Sequence, residues 1–404
     1  MTITKKTTKS NNKKKTISDY DTVNKVPNYE VSELAFVSKN TKEYDALIAA
    51  IQKEEMAPYY LYLKEQDPNM PFDQTIYEQL VQKNSEKIKE LKDEITKNEE
   101  NDEGELEKAY CWVKLGEYYA QIGDVENSLT TFEKASSASI SLGGKIDIML
   151  TIVRIALFFN DQVKAQEKLN QADEMIEKGG DWERRNRFKT YKGIHLMAIR
   201  NFQEASELLV DSLTAFTSLE IASYEDIAVY ASVCGILSLN RNDLKTKIID
   251  SPEVLVAMST SEPLQAIISL AISLYTSDYS SFFPFLLQTR EKVFLPSKFL
   301  NPHTDFFLRQ MRIKVYSQLL QSYKTLSLKS MADSFGVSIE FLDSDLGKFI
   351  PTKQLNCVID RVNGIIETNR PDNKDAQFNS LIKQSDSLIS KLQKYVASVK
   401  ITSD

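Results

Sequence analysis

One stretch of this sequence, CWVKLGEYYAQIGDVENSLTTFEKA, places large and small side chains at spacings that two tightly packed helices require. Its first half has the pattern W-x-x-L-G-x-x-Y, carried by Trp112, Leu115, Gly116 and Tyr119. Its second half has a large residue at Phe132 and a small one at Ala135. Small residues let two helices approach closely, and large ones fill the groove beside them. The stretch therefore predicts a helical hairpin that turns at Gly123-Asp124.

The same pattern recurs further along the chain. A shift of 77 residues takes Gly116 to Gly193 and Phe132 to Leu209, and a degenerate copy that turns at Asn160-Asp161 lies between them. Hairpins that repeat about every 38 residues are typical of an α-solenoid of tetratricopeptide-like repeats, in which each repeat buries its apolar face against its neighbours. The predicted fold is therefore mostly α-helical.

Helical patterns also flank the repeats. From about residue 73, a charged segment that ends in an acidic run and Gly104 carries one narrow apolar stripe, which suits a single packing partner. The stripe consists of Leu80, Asn84, Ile88, Leu91 and Ile95. Beyond the repeats, Ser251-Pro252 and Ser261-Glu262-Pro263 mark helix starts, because a helix tolerates Pro in its first turn. Another long amphipathic helix is predicted over residues 303–326.

A winged helix is predicted after that segment. SLKSMADSFGVSIEFLDSDL, residues 327–346, indicates two short helices that are separated by a tight turn at Gly336-Val337. CVIDRVNGIIETN, residues 357–369, then places Asn363-Gly364 between β-branched runs, which predicts a β-hairpin with a type I′ turn. Two helices followed by a hairpin are the elements of a winged helix.

The last predicted helix is an unusual terminal element. Its apolar positions alternate spacings of four and three residues, as in a coiled-coil seam. These positions are Leu381, Ser385, Leu388, Leu392, Tyr395 and Val399. We expect this helix to join a bundle with helices of other chains; the alternative is that it folds back on the winged helix.

The charge distribution argues against nucleic-acid binding. The net charge is −7, although the first fifteen residues contain six lysines and no acid, so the rest of the chain is more acidic still. An acidic body repels phosphate backbones. The second helix of the winged helix offers Glu340, Asp343 and Asp345 against a single Lys348, whereas a helix that reads DNA offers Arg, Lys, Asn or Gln. We therefore interpret the winged helix as a protein-docking module.

The sequence lacks the residue patterns of common catalytic, metal-binding and phosphate-binding sites. His195 and His303 are far apart and have no neighbouring metal ligands at a suitable spacing, and the three cysteines form no Cys-x-x-Cys motif or disulfide framework. The GGK at Gly143 to Lys145 lacks the context of a phosphate loop and is interpreted as a helix end and linker. No apolar run reaches the length of a membrane span. The sequence predicts a protein without enzymatic activity or cofactor, in a reducing cytosol or nucleus.

Helical repeats that lead into a winged helix resemble the PCI-domain family. VPNYEVSELAF, EEMAPYYLYL, GELEKAYCWVKLGEYYAQIGD, IEKGGDWERRNRFKTYKGIH and the segment from Ser327 resemble the fungal PCI-domain subunits of the proteasome regulatory-particle lid over about residues 20–400. The resemblance implies a scaffold whose winged helices assemble side by side and whose C-terminal helices form one bundle. It also implies three neighbours, namely PCI-domain lid subunits six and three and the small acidic lid subunit. It further implies residence in the cytoplasm and nucleus.

The domain organisation follows from these patterns and this resemblance. The expected segments are a disordered lysine-rich tail (1–20), an N-terminal helical region (21–104), tetratricopeptide-like repeats (105–250), the helical part of a PCI domain (251–326), its winged helix (327–371) and a C-terminal helix (372–404). The tail would serve either as a nuclear-import signal or as a solubilising segment. The alternative functions are a scaffold of the COP9 signalosome, whose first subunit shares this architecture, and a nucleic-acid-binding winged helix. A hydrolase is not expected.

Three groups of residues are predicted to contact partners. The wing would offer its edge to a neighbour's strand, although one face of it must pack on the domain's own core; its residues are Val358, Ile359, Arg361, Asn363, Ile365 and Ile366. The C-terminal helix would offer Leu381, Leu388, Leu392, Tyr395 and Val399. A basic cluster would take an acidic partner segment, or else form a solvated helix face; it consists of Arg184, Arg185, Arg187, Lys189 and Lys192.

Overall fold

The computed structural model describes residues 25–100, 105–139, 141–369 and 373–402. The lysine-rich tail and Gly104 lie outside these ranges. The chain divides into two compact units. The first comprises the described residues up to Tyr275 together with Phe285–Asp305, and the second comprises Thr276–Pro284 and the described residues from Phe306 onward. The division places residues 251–275 with the repeats, whereas the sequence suggested a boundary near residue 250.

The described chain is mostly helical, as predicted. Its first helices are α1 (Tyr29–Thr41), α2 (Asp45–Glu54), α3 (Ala57–Gln66), α4 (Gln74–Glu100), α5 (Glu105–Ile122), α6 (Val125–Ala138), α7 (Leu142–Phe158), α8 (Gln162–Gly179), α9 (Trp182–Ala198) and α10 (Phe202–Leu213). They are followed by α11 (Tyr224–Ser238), α12 (Arg241–Leu244), α13 (Pro252–Met258), α14 (Glu262–Thr276) and α15 (Tyr279–Thr289). Short π-helical turns cover Lys245–Ile249 and Arg290–Phe294, and a 3₁₀ turn covers Asn301–His303.

The repeat hairpins turn where the sequence predicted. Gly123 and Asn160 adopt left-handed backbone conformations, with φ of +87° and +61°. The following residues, Asp124 and Asp161, cap α6 and α8 because each side chain accepts a hydrogen bond from the backbone N–H three residues later. Each hairpin therefore combines a residue that reverses the chain with one that starts the next helix.

Close approach of paired helices depends on a glycine in the first helix of a hairpin. A Cβ atom on Gly116 would lie 3.0 Å from the ring of Phe132, and one on Gly193 would lie 2.7 Å from Leu209 Cδ2. The Ser128 hydroxyl donates to the Gly116 carbonyl at 3.2 Å, across the same contact. The equivalence between these two hairpins, predicted from the shift of 77 residues, is thus confirmed as equivalent packing.

Helix α4 buries the predicted stripe, but against α3 as well as α5, and not against a single partner. Ile95 is buried against Leu115 and Tyr119 of α5, and Leu91 is partly buried in the same cluster. Asn84, the polar member of the stripe, is buried, and its side chain is hydrogen-bonded at both ends. Its Nδ2 donates to the Glu55 carbonyl at 3.0 Å, and its Oδ1 accepts from the Tyr118 hydroxyl.

A buried polar network ties the N-terminal segment to the repeats. The Arg154 side chain is 1% exposed; its Nε donates to the Val26 carbonyl and its Nη1 donates to the Tyr191 hydroxyl at 3.3 Å. Tyr191 in turn donates to Glu220 at 3.1 Å. The Tyr29 hydroxyl donates to the Arg154 carbonyl. A buried cation is tolerated only with such partners, so this network fixes the register of the elements that it joins.

A second buried contact holds α1 in place. The Lys298 ammonium donates to the Ser32 hydroxyl and to the Phe158 carbonyl, each at 2.6 Å. Burial lowers the pKa of Lys298 to about 8, against the opposing effect of Glu33. Burial, reinforced by Asp226, raises the pKa of Glu33 to about 7. Helix α1 therefore places a carboxyl that titrates near neutral pH against the repeats.

The GGK segment does not form the predicted helix end and linker. Gly143 and Gly144 lie in the first turn of α7, which Ser141 caps by accepting from the Gly144 N–H. A Cβ on Gly143 would lie 2.9 Å from Arg184 Cζ. The Arg184 guanidinium therefore lies directly on this turn, a contact that the sequence pattern did not reveal.

The second unit contains the winged helix. Its elements are α16 (Thr304–Ser322), β1 (Thr325–Ser327), α17 (Leu328–Phe335), α18 (Ile339–Phe349), β2 (Cys357–Asp360), β3 (Ile365–Thr368) and α19 (Asn373–Thr402). The sheet is antiparallel with the order β1-β3-β2. Gly336, with φ of +63°, ends α17, and Ser338 caps α18, as predicted. Strand β1 was not predicted, because its residues were assigned to the end of the preceding helix.

The hairpin turn differs from the predicted type I′ turn. Asp360 pairs with Ile365, so four residues separate the strands, and of these only Gly364 has positive φ. The Asp360 carboxylate accepts from the backbone N–H groups of Val362 and Asn363. An acidic side chain that captures loop amides stabilises the longer turn, and this removes the need for Asn363 to adopt a left-handed conformation.

Gly193→Ala should destabilise the first unit by about 1–3 kcal/mol, because the new methyl group overlaps Leu209 in a packed core. Thermal or urea unfolding measures the change. Gly347→Ala is the matched control: it also lies in a helix, but nothing is within 4 Å of its Cβ position. Helix propensity alone should make that variant slightly more stable. Equal effects of the two substitutions would contradict the close-packing argument.

Glu33→Gln should change how stability depends on pH. Because the folded-state pKa of Glu33 is raised from 4.5 to about 7, its stabilising effect is complete below pH 4.5 and is lost as the pH rises through about 7. Gln resembles the neutral carboxyl, so the variant should gain about 1–3 kcal/mol over the parent across this window. Thermal unfolding at a series of pH values tests this. Glu43→Gln, at an exposed position, should leave the profile unchanged.

Candidate partner interface

The wing has one inward face and one outward face. On the inward face, Ile366 is 0% exposed, and Ile359 lies opposite it and is half-buried. The prediction that Ile366 contacts a partner is therefore wrong, because this side chain fills the core of the winged helix, as the alternative for one face required. On the outward face, Val358 is 53% exposed and Ile365 is half-buried. Alternation along the strands explains both outcomes.

Strand β2 presents a free edge among the described residues. Strand β3 lies in the centre of the sheet, so β2 pairs on one side only. The Asn369 N–H donates to the Asn356 carbonyl next to the last paired residues of β2 and β3. By the alternation of an antiparallel ladder, the N–H and C=O groups of Cys357 and Ile359 point away from β3. Cys357 is only 4% exposed, so on this edge the groups of the half-buried Ile359 are the ones that a strand from another chain could reach.

The two polar residues predicted for the wing serve its own turn and neighbouring helix. The Asn363 amide donates to the Asp360 carboxylate at 2.7 Å, and this hydrogen bond lowers the pKa of Asp360. Arg361 forms an exposed ion pair with Asp343 of α18, with 3.0 Å between Nη2 and the carboxylate. At the tip of the turn, Val362 is 94% exposed, a candidate contact that was missed although it lies inside the predicted hairpin.

Helix α18 buries one of its acidic side chains. Asp345 is 2% exposed and accepts from Arg312 Nη1, with both carboxylate oxygens 2.8 Å away, and the Tyr316 hydroxyl lies 3.4 Å from the same carboxylate. Its outer surface therefore carries Glu340 and Asp343, together with the exposed apolar residues Ile339 and Phe341. A helix with this outer surface matches a protein partner better than a phosphate backbone.

Helix α19 exposes nearly all of the apolar residues that the heptad pattern predicted. Leu381, Leu388, Leu392 and Tyr395 are each more than half exposed, whereas the side chain of Val399 lies outside the described residues. The alternative, that the helix folds back on the winged helix, is not observed for these positions. Further exposed apolar residues widen the stripe beyond the predicted seam: Phe378, Ile382, Ile389 and Val396.

Most of the predicted basic cluster pairs with carboxylates of this chain. Arg184 binds Asp147 at 2.7 Å and also pairs with Asp181, while Arg187 is buried and pairs with Asp147, Glu183 and Glu220. Lys189 and Lys192 pair with Asp211 and Asp173. Arg185 is exposed and donates to the Gly180 carbonyl. Among the five, Arg185 is therefore the residue for which binding of an acidic segment stays a prediction.

Comparison with known proteins agrees with this architecture. A family model described as 26S proteasome subunit RPN7 matches residues 73–247, and the PCI domain model matches residues 277–370. The chain is 58% identical to the 26S proteasome regulatory subunit RPN7 of Saccharomyces cerevisiae, over 94% of this chain and 95% of that protein. It is 40% identical to the corresponding rpn7 of Schizosaccharomyces pombe, over 96% and 98%. It is 35% identical to 26S proteasome non-ATPase regulatory subunit 6 of Dictyostelium discoideum, over 93% and 98%.

The chain belongs to the RPN7 family of 26S proteasome regulatory subunits. Membership confirms the resemblance that the sequence suggested and favours the proteasome over the signalosome. The match to the PCI domain falls on α15 through β3, which include the winged helix.

The two histidines of this RPN7-family chain have structural surroundings. Both ring nitrogens of the buried His195 lie within hydrogen-bond distance of glutamine side-chain oxygens, those of Gln162 and Gln166. His303 Nδ1 accepts from Arg200 Nε at 2.9 Å. In the part of the chain that is described, no group of His, Cys, Asp and Glu is arranged to hold a metal ion. Nor does any helix there have the length and apolar character needed to span a bilayer.

Arg312→Met should destabilise the second unit by about 3–5 kcal/mol, because it leaves the buried Asp345 carboxylate without its cation. Hydrogen exchange of the α18 amides should report the loss directly. Arg361→Met is the matched control, since it removes an exposed ion pair with Asp343 and should cost less than about 1 kcal/mol. If the two variants exchanged alike, the buried pair would not be what holds α18.

Proposed function

We propose that this chain is a non-catalytic scaffold subunit of the lid of the 26S proteasome regulatory particle. Membership of the RPN7 family supports the assembly, and the exposed apolar stripe of α19 is the observation that supports the scaffold role. Helix α19 spans Asn373–Thr402 and carries at least eight exposed large apolar side chains. Contiguous apolar surface of this kind marks an interaction site in a protein that works in water.

The wing is the second docking surface in this proposal. An added strand would satisfy the outward N–H and C=O groups of Ile359, while Val358 and Val362 would contact the partner with their side chains. Main-chain hydrogen bonds supply affinity in this mode, and side-chain pockets on the partner supply specificity. Ile365 would contribute from the outward face, whereas Ile366 would support the strand from within.

The proposed neighbours are those that the family resemblance implies: PCI-domain lid subunits six and three, with the small acidic lid subunit as a further partner. The proposed location is the cytoplasm and nucleus, where ubiquitin-dependent degradation by the proteasome takes place. Arg185 remains the side chain of the basic cluster that is available to an acidic segment.

The alternative function, a winged helix that reads nucleic acid, makes a different prediction. Steeply salt-dependent binding of nucleic acid by the isolated chain would favour that alternative over the scaffold.

The test compares two double variants of the tagged full-length chain expressed in yeast cells. Leu388→Asp with Leu392→Asp places two charges on the apolar stripe, and both residues are more than half exposed, so the chain should still fold. We expect the recovery of co-purifying lid subunits, measured by quantitative mass spectrometry, to fall by roughly tenfold or more, as for the loss of a central interface contact.

Ser387→Asp with Ser390→Asp is the control, because it adds the same charge to the opposite side of the same helix. This variant should recover the lid subunits as the parent does. Normal assembly of the leucine variant would remove α19 from the docking surface. Equal loss in both variants would show that added charge, and not the apolar stripe, decides the outcome.

A further inference from the structure

The turn of the wing contains the single Asn-Gly pair of the sequence, Asn363-Gly364. Asn363 is exposed, and nothing lies within 4 Å of the position that a Cβ atom on Gly364 would occupy. Because glycine has no side chain, its backbone nitrogen is open to approach by the side chain before it. The side-chain carbonyl carbon of Asn363 therefore has an unhindered nitrogen as its neighbour in the chain.

The backbone nitrogen of Gly364 is also free of hydrogen bonds. Among the described residues its N–H finds no acceptor, whereas the N–H groups of Val362 and Asn363 both donate to the Asp360 carboxylate. The Gly364 carbonyl accepts from the Leu328 N–H at 2.8 Å, so the residue is held at its other end. An N–H without an acceptor gives up its proton more readily than one in a hydrogen bond, because a hydrogen bond stabilises the protonated form.

Asp360 holds the side chain of Asn363. The Asn363 amide nitrogen donates to the Asp360 carboxylate at 2.7 Å. That nitrogen is the group that must leave when a side-chain amide becomes a carboxylate, and hydrogen bonds to ionised acceptors are among the stronger ones. The contact with Asp360 therefore restrains Asn363 in the intact turn without removing its reactive neighbour.

Asn127 makes the same kind of contact without that neighbour. Its amide nitrogen also donates to an aspartate three residues earlier, Asp124, at 2.7 Å, and the residue is also exposed. The next residue is Ser128, whose N–H donates to the Asp124 carbonyl at 3.1 Å in the first turn of α6. The two sites thus differ in the nitrogen that follows the asparagine, which makes Asn127 an internal control.

We propose that Asn363 is a site of spontaneous deamidation, at which the tip of the wing acquires a second carboxylate as aspartate or isoaspartate. Asparagine is a thermolabile residue, and the Gly364 nitrogen beside this one is unhindered, free of hydrogen bonds and outside a helix. The proposal concerns the chemistry of this turn and does not depend on the scaffold role.

The reaction needs only the chain itself and water. The Gly364 nitrogen loses its proton to water and forms a bond to Cγ of Asn363, while the Cγ–Nδ2 bond breaks and Nδ2 leaves as ammonia with a proton from water. The product is a five-membered succinimide ring. Addition of one water molecule to either ring carbonyl breaks the bond between that carbon and the Gly364 nitrogen. Breakage at Cγ gives aspartate, and breakage at the main-chain carbonyl carbon gives isoaspartate.

Either product would disturb the present turn. A carboxylate at position 363 would replace the hydrogen bond to Asp360 by repulsion between two acids. Isoaspartate would add one carbon atom to the main chain, inside a turn that the pairing of Asp360 with Ile365 closes. Because the same turn carries the exposed Val362, the modification would change the position of a side chain at the tip of the wing.

Incubation of the purified full-length chain in mildly alkaline buffer made with H₂¹⁸O tests the proposal. Peptide mapping by mass spectrometry should show conversion of Asn363 with one ¹⁸O atom in the product, because opening of the ring consumes one water molecule. The conversion should be roughly tenfold or more faster than that of Asn127, where the helix must open first. Asn363→Gln is the control and should stay unmodified over the same period, because the longer side chain would have to close a six-membered ring.

Two further measurements test the role of the turn. Asp360→Ser keeps a side-chain acceptor for the turn amides but removes the ionised partner of Asn363, so deamidation should be several-fold faster than in the parent. After ion exchange separates the converted protein, its amides at Val362 and at position 363 should exchange hydrogen several-fold faster than those of unconverted protein from the same incubation.

Three results would overturn the proposal: equal rates at Asn363 and Asn127, an intact Asn363 after other asparagines have reacted, or a product that lacks ¹⁸O. An unchanged rate in Asp360→Ser would contradict the restraint by Asp360, and unchanged hydrogen exchange in the converted protein would contradict the disturbance of the turn.

Discussion

Contact between a glycine on one helix and a large side chain on the next controls the architecture of the first unit. At Gly116 and again at Gly193, the backbone of α5 or α9 lies against Phe132 or Leu209 without room for a methyl group. Because the second helix of each hairpin is drawn this close, the apolar residues beside the contact form a face that only the neighbouring hairpin can cover. Stacking of the hairpins, and hence the position of every surface on this unit, follows from that approach.

Buried charge determines the register of the stack. Hydrophobic contacts alone tolerate small shifts between hairpins, whereas Arg154 must meet Val26 and Tyr191 at once, and Asp147 must meet Arg184 and Arg187. The same pairs explain why part of the basic cluster is not a free surface. They also fix the first turn of α9, so a network that stabilises the fold also positions the exposed Trp182.

How much of the structure could be predicted from the sequence depends on how far apart in the chain the contacting residues lie. Local signals were sufficient for the hairpin turns at Gly123 and Asn160, the caps of the winged helix and the stripe of α4, because each depends on residues within a few positions. They were insufficient where a distant residue decides the outcome. Gly143 was misinterpreted because Arg184 lies 41 positions away, and the internal pairing of Arg184 was not predicted because Asp147 precedes it by 37 positions. Strand β1 forms only because β3 offers it an edge.

The predictions of partner-contact residues were also accurate where a local pattern decides the outcome and incomplete where the tertiary structure does. Periodicity identified the apolar stripe of α19 and the two faces of the wing, but it did not establish which face was inward until Ile366 was located in the core.

The proposed docking surfaces and the buried core place opposite demands on one chain. The N-terminal segment and repeats are joined by buried networks that leave little freedom, whereas α19 exposes most of its length and gains little from its own chain. An isolated helix is only marginally stable in water, so its order depends on what covers it. If neighbouring subunits cover α19, the free energy of assembly includes the free energy of ordering this helix, and binding and folding of the C-terminal segment become one process. A scaffold built in this way would keep the repeats folded through its own buried contacts but would complete its C-terminal surface only when its neighbours are present.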